Sequence, residues 1–224
     1  MWKSLKAKNT RWWLSLISSL AILGLGVGLS SCGVEPKGPP REALVSHVID
    51  GDTLVLDGGA RVRLLGIDAP EMERDGRPAE FLAHKAKGAL AELTQGKRLR
   101  LEYDQLRYDH YGRLLAYLFL ADNTMINAEL VRQGLARVYF HAPNFRYREV
   151  LLAAQTEALE AHRGLWQKPA SQDEPYYLGN RNTLRMHRPG CPLGKKIAPA
   201  NQVRFTSLKE AYLQGYSPCR SCKP

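Results

Sequence analysis

The 224-residue chain carries 32 basic against 22 acidic residues, a net charge of +10, and 44% hydrophobic residues. That composition excludes wholesale disorder and collagen-like or low-complexity structure, and four cysteines are too few for a disulfide-stapled miniprotein. The length allows one or two domains, and the basic balance favours polyanionic partners.

Residues 1–32 read as an address. Lys3, Lys6, Lys8 and Arg11 precede an apolar run from Trp12 to about Leu29, which closes on Leu29-Ser30-Ser31-Cys32. Basic residues, an apolar stretch and small residues before a cut site make a secretory signal. The ending resembles the bacterial lipobox, which implies cleavage before Cys32, lipidation of its thiol, export and a membrane anchor. An uncleaved membrane helix is the alternative, because the run is just long enough to span. All four charges in the segment are basic, so its removal leaves +6. Residues 33–42, rich in Pro and Gly, form a tether.

From Ala43 the pattern turns to strands. Leu44–Ile49, Thr53–Leu56 and Arg61–Ile67 are short β-type runs, and Asp57-Gly58-Gly59 is a hairpin signal between the last two. Pro70 ends the third. A helix is predicted from Pro78 to Thr94, closed by Gly96, with Phe81, Leu82, Ala86, Ala89, Leu90 and Leu93 on its buried face. Two more strands, Arg98–Tyr103 and Leu114–Leu120, precede helices at Ile126–Gln133 and Phe145–His162. Five strands and about three helices predict a small closed β-barrel packed by helices.

The chemistry concentrates in Asp50-Gly51-Asp52-Thr53, in Arg63 through Glu71, and in Asp109-His110-Tyr111-Gly112-Arg113. Asp52 and Asp68 each lie at a strand end, where their carboxylates can converge on one cation with a backbone carbonyl near Ala69. Oxygen-only ligands favour Ca²⁺ over zinc. Glu71 stands close enough to contact a metal-bound water, and Arg63 and Arg113 supply forked donors that match a phosphate. Carboxylates, a hard cation and two arginines suit phosphodiester hydrolysis. Taken singly, each is also an ordinary turn or surface residue, and Arg63, alternating with Arg61, also fits a solvent-facing strand position. The combination carries the chemistry.

Val48–Thr53, Arg63–Glu71, Asp109–Tyr117 and Leu130–Ala136 together resemble the staphylococcal nuclease (thermonuclease) family, in that family's order, across residues 43–167. The resemblance implies an OB-fold barrel and Ca²⁺-dependent hydrolysis of DNA and RNA with little sequence preference, leaving 3′-phosphate ends. It implies Asp52, Asp68 and the Ala69 carbonyl as Ca²⁺ ligands, with Asp50 supporting them from behind. Glu71 becomes the general base or water-orienting residue, and Arg63 and Arg113 the groups on the scissile phosphate. Tyr111 lies beside the substrate, and His110 replaces a frequent Lys at a terminal phosphate. Ala69 stands where the best-known members have Thr, and the Glu71–Pro78 segment is shorter than their mobile loop.

Residues 168–175 read as a linker and residues 176–224 as a small α+β zinc-binding domain. His187-x-x-x-Cys191 and Cys219-x-x-Cys222 make a zinc signature flanking a predicted helix, Ser207–Gln214, with Ser207 as its cap and Glu210 at the capping-box position. A disulfide is the alternative, although three cysteines beyond Cys32 leave one unpaired. The segment resembles the metal-binding domain of the Ada DNA-repair family. There the first ligand is a methyl-accepting Cys; here it is His187, so methyl transfer is rejected and the zinc is structural. Arg181, Arg185, Arg188, Lys195, Lys196, Arg204 and Arg220 form either a nucleic-acid clamp or a solvated face. The expected molecule is an exported, lipid-anchored monomer acting on DNA and RNA, with no protein partner implied. A non-catalytic nucleic-acid-binding lipoprotein is the alternative.

Overall fold

The chain builds its first sheet from β1 (Glu42–Val48), β2 (Thr53–Leu56) and β3 (Arg61–Leu64). Antiparallel pairing joins β1 to β2 and β2 to β3, with Asp57-Gly58-Gly59 at the second turn, as its sequence predicts. These positions come from a computed structural model, which describes residues 38–167 and 172–224. The signal segment, Cys32 and residues 33–37 of the tether lie outside the described residues. No helix among the described residues is long and apolar enough to cross a membrane.

The expected strand Arg61–Ile67 is broken. A turn at Leu65-Gly66 separates β3 from β4 (Ile67–Asp68). Next come α1 (Ala83–Thr94), β5 (Arg98–Glu102) and β6 (Leu114–Phe119), and the five strands β1-β2-β3-β6-β5 close a barrel. Two devices achieve closure. A register shift between Val45 and His47 bends β1, so that one end pairs with β2 and the other with β5. Parallel pairing of β6 with β3, Val62 opposite Leu114, joins the remaining edges. Alternate residues fill the interior, among them Leu54, Val62, Leu64, Leu99 and Leu114, all buried. Each such leucine contributes about 1.5–3 kcal/mol.

Helix α1 starts five residues later than the sequence predicts. Glu80 closes a loop instead: its N–H donates to the Glu71 carbonyl at 2.9 Å, and its carboxylate accepts the Glu71 N–H at 3.2 Å. Leu82 then turns at φ 69° before the helix begins. Ala83, Ala86 and Leu90 are buried as a helical face requires, but Phe81 precedes the helix and is 62% exposed. Helix α2 (Ile126–Arg132), β7 (Arg137–Val138) and α3 (Arg148–Glu160) follow, with β7 pairing antiparallel to β4.

The C-terminal part contains β8 (Tyr177–Asn180), β9 (Arg185–His187), α4 (Pro192–Lys195), β10 (Gln202–Phe205), α5 (Leu208–Leu213) and β11 (Ser217–Pro218). Its strands form one sheet in the order β10-β8-β9-β11. Ser207 caps α5 by accepting the Glu210 N–H at 3.1 Å, while the Glu210 carboxylate reaches back to Thr206.

Helix α3 serves both parts. Leu151 and Ala154 pack into the barrel core, whereas Ala158 and Leu159 pack with Tyr177, Met186, Phe205 and Tyr212. Between these faces lies Gln155, fully buried. Its Oε1 accepts the Val138 N–H at 2.8 Å and its Nε2 donates to the Tyr212 carbonyl at 2.7 Å. Gly215 makes the close approach possible: a Cβ there would lie 3.0 Å from Leu152 Cδ2 and 3.1 Å from Phe140 Cε2, at φ +82°. Residues 38–224 accordingly form one contact unit.

Candidate active site and zinc site

The acidic centre is assembled by close backbone approach. Between β1 and β2, Gly51 lies so near the β4 end that a Cβ would stand 2.6 Å from Ala69 Cβ and 2.8 Å from Ala86 Cβ. Pressed together this way, the Ala69 N–H donates to Asp52 Oδ2 at 2.8 Å. Asp50 shapes the loop from behind, accepting the Asp52 N–H at 3.0 Å, and Thr53 Oγ1 donates to Asp52 Oδ1 at 3.1 Å. On β3, Val62 and Leu64 occupy the inner face, which leaves Arg63 outside. It does not simply face solvent. Its Nη2 lies 3.0 Å from Asp52 Oδ2 and 3.4 Å from Asp68 Oδ1, and its Nη1 donates to the Leu64 carbonyl at 2.6 Å. Two carboxylates therefore converge on a single nitrogen. Glu71 stands at the mouth of this centre with its side chain 67% exposed.

Arg113 and Tyr111 form a neighbouring corner. Asp109 accepts the N–H groups of Tyr111 and Arg113 at 2.9 Å each, and its Oδ2 accepts Arg113 Nε at 2.7 Å. Burial alone would raise the Asp109 pKa, but Arg113 and these backbone donors hold it below the usual carboxylate range. Tyr111 is 73% exposed, with the His110 ring against it at 3.7 Å between centroids. Arg63 lies on β3 opposite Leu115 of the paired strand β6, and Arg113 immediately precedes β6. Arg113 is anchored there by Asp109, at the start of the strand that pairs with β3.

Charge is crowded around Asp52. Burial pushes its pKa up to about 7, Arg63 opposes this, and the neighbouring Asp50 and Asp68 add to it. Such a carboxylate cluster gains from an added cation. The donors on offer, two carboxylates and a backbone carbonyl, are all oxygen and suit a hard ion such as Ca²⁺.

His187, Cys191, Cys219 and Cys222 meet in a separate cluster. Their ligand atoms all lie within 4.8 Å of one another, and His187 Nδ1 is 3.5 Å from Cys191 Sγ. Tetrahedral zinc with bonds of about 2.3 Å separates its ligands by roughly 3.8 Å, so a Cys₃His set of this size fits zinc. The three cysteines are free thiols, which overturns the disulfide alternative. Burial and then Arg185 lower the His187 pKa, keeping its ring neutral as a ligand must be. Burial and crowding by the other two thiols push Cys222 up to about 12. Without a cation these sulfurs cannot all ionise together.

Comparison with known proteins decides the family. Residues 61–168 match the staphylococcal nuclease homologue family model, and residues 161–224 match the metal binding domain of Ada. The chain is 40% identical to the thermonuclease of Staphylococcus intermedius over 128 residues, covering 56% of this chain and 76% of the relative. The chain belongs to the staphylococcal nuclease family. The thermonuclease of Staphylococcus hyicus is 35% identical over 54% of this chain and 73% of its own length. Endonuclease YncB of Bacillus subtilis is 34% identical over 55% of this chain and 61% of its own.

In this staphylococcal nuclease homologue, the OB-fold barrel brings Asp50, Asp52, Arg63, Asp68 and Ala69 into direct contact. It sets Glu71 at their edge and holds Arg113, Tyr111 and His110 on the adjacent turn. One residue at the centre carries no motif signal. Arg220, between the zinc ligands Cys219 and Cys222, places Nη2 3.3 Å from Asp68 Oδ1 and 3.9 Å from Glu71 Oε1. In sequence it is only one of nine lysines and arginines in the C-terminal part.

Proposed function

We propose that this chain is an exported, Ca²⁺-dependent nuclease that hydrolyses DNA and RNA with little sequence preference and leaves 3′-phosphate ends. Residues 43–167 form its catalytic part, residues 176–224 a structural zinc-binding part, and lipidated Cys32 the membrane anchor of a monomer. The observation that carries the reading is the convergence of Asp52 and Asp68 on Arg63, with Glu71 reached from Asp68 through Arg220, on the frame of relatives named thermonuclease.

A Ca²⁺ ion held by Asp52, Asp68 and the Ala69 carbonyl would supply a Lewis acid for the phosphate and an ordered water. Glu71 takes or directs the water's proton as its oxygen bonds to phosphorus and the bond to the 5′ oxygen breaks. Arg63 and Arg113 offset the charge that develops on the phosphate. Sequence tolerance follows from contacts that go to phosphate rather than to base edges.

The test uses residues 33–224 on single-stranded DNA, duplex DNA and RNA, with and without added Ca²⁺, alongside Glu71→Gln and Arg63→Ala. The expected result is Ca²⁺-dependent cleavage that both substitutions abolish, with products bearing 3′-phosphates. Folded protein that binds Ca²⁺ and nucleic acid without cleaving it would instead make the barrel a binding platform. Incorporation of labelled fatty acid, lost in Cys32→Ala, tests the anchor.

A further inference from the structure

The carboxylate centre is completed from the far end of the chain. Asp68 and Arg220 are 152 residues apart in sequence, yet their side chains meet at 3.3 Å. Several independent contacts bring Arg220 there. It is flanked by two zinc ligands in the Cys219–Cys222 knuckle. Its guanidinium lies over the Tyr139 ring, 5.6 Å from the centroid, and Arg185 packs on the same ring at 3.5 Å. The N–H of Tyr139 donates to the Gly66 carbonyl at 2.8 Å, which fixes that ring beside β4 and Asp68. On the other side of the knuckle, Lys223 Nζ lies 3.9 Å from Glu80 Oε1, at the base of the loop that begins with Glu71.

An ion pair whose guanidinium is this exposed contributes little by itself. The position of Arg220 is therefore set by the knuckle and the ring, and the pair with Asp68 is a result. Arg220 is 69% exposed, on the same open edge as Glu71 at 67%. Among the described residues its hydrogen bond and ion pairs run through Nη2, which leaves the Nε and Nη1 donors for a ligand. A guanidinium presented this way matches a phosphate by fork geometry and charge.

We propose that Arg220 is a third arginine of the nuclease centre, delivered by the zinc-binding knuckle, and that it binds a substrate phosphate adjoining the scissile one. The proposal rests on the nuclease reading for its substrate, but its test does not require cleavage. A fluorescein-labelled single-stranded oligonucleotide is titrated into Glu71→Gln protein, with and without Arg220→Ala, over a range of salt concentrations. One lost phosphate contact reduces the slope of log affinity against log salt by about 0.7 for a single strand. The expected result is that reduction, with about tenfold weaker binding and, in the otherwise wild-type enzyme, a raised KM with kcat within threefold. Arg220→Lys restores the slope but only part of the affinity, because charge returns without the fork. Lys209→Ala, the same charge loss at an exposed position of α5, leaves both unchanged.

Unchanged slope and KM in a zinc-loaded Arg220→Ala protein would overturn the proposal. Zinc loss from both the Ala and the Lys variant, measured as metal per chain, would also overturn it by making Arg220 a folding residue. The two readings fail separately. Absent cleavage by wild type sinks the nuclease reading, whereas an unchanged salt slope sinks the role of Arg220.

Discussion

Asp52 is the residue at which burial and charge conflict most. Its pKa stands at about 7 in the folded chain against an ordinary 3.8, with burial as the leading cause. Between those values the folded state holds a proton that the unfolded state has lost. Cation-free stability therefore falls as pH rises through that window. Asp52→Asn is expected to raise the cation-free melting temperature at pH 8 and to abolish Ca²⁺ binding; a lower midpoint would contradict the conflict of charge. Ca²⁺ bound as proposed would have to displace the proton, so its affinity is expected to weaken as pH drops below about 7. Calorimetry near pH 7 in two buffers of different ionisation enthalpy reads the released proton directly, and equal heats would argue against it. Glu71 behaves differently because it is exposed. Glu71→Gln should lower kcat at least about 100-fold while leaving the melting temperature and oligonucleotide affinity close to wild type.

Among the elements, α3 decides how the two parts hold together. Its Gln155 satisfies one backbone group from β7 and one from the end of α5. Gln155→Ala strands both, and buried unpaired groups cost about 1–3 kcal/mol each. Loss of about 2–4 kcal/mol in denaturant unfolding is expected, with a change under 0.5 kcal/mol counting against the bridge. Gly215→Ala should cost at least about 1 kcal/mol, because it combines positive φ with contacts at 3.0 and 3.1 Å to Leu152 and Phe140. The late start of α1 belongs to the same scale. Periodicity favours a helix from Pro78, but the pairing of Glu80 with Glu71 takes the intervening residues for a loop beside the centre.

For the whole molecule, the zinc-binding part and the barrel are joined through α3, which packs into the core of each. Ala158, Leu159 and Trp166 pack with residues of the zinc-binding part, while Leu151 and Ala154 of the same helix pack on the barrel. Removing zinc should therefore lower the melting temperature of the barrel as well as that of the C-terminal sheet. Reloading releases protons, since Cys222 is pushed up to about 12 without metal. Scanning calorimetry with metal analysis checks this; an unshifted barrel transition in zinc-free protein would show that the two parts melt independently.

The sequence by itself determined what short-range pattern can encode. Alternating apolar residues specified the five barrel strands, and Asp50-Gly51-Asp52 and Asp68-Ala69-Pro70-Glu71 specified an acidic centre. Paired ligands at short spacing specified zinc. In each case the residues that act together are neighbours along the chain, or belong to motifs whose order is itself informative. Tertiary structure alone decided that Arg63 clamps two carboxylates instead of facing solvent, which depends on the end of β4 folding back against the Asp50–Asp52 loop. It also decided that Arg220 meets Asp68. No periodicity encodes which surface of one part covers another; that choice is a sum of packing at Gln155, Gly215 and Tyr139, spread over residues that no motif connects.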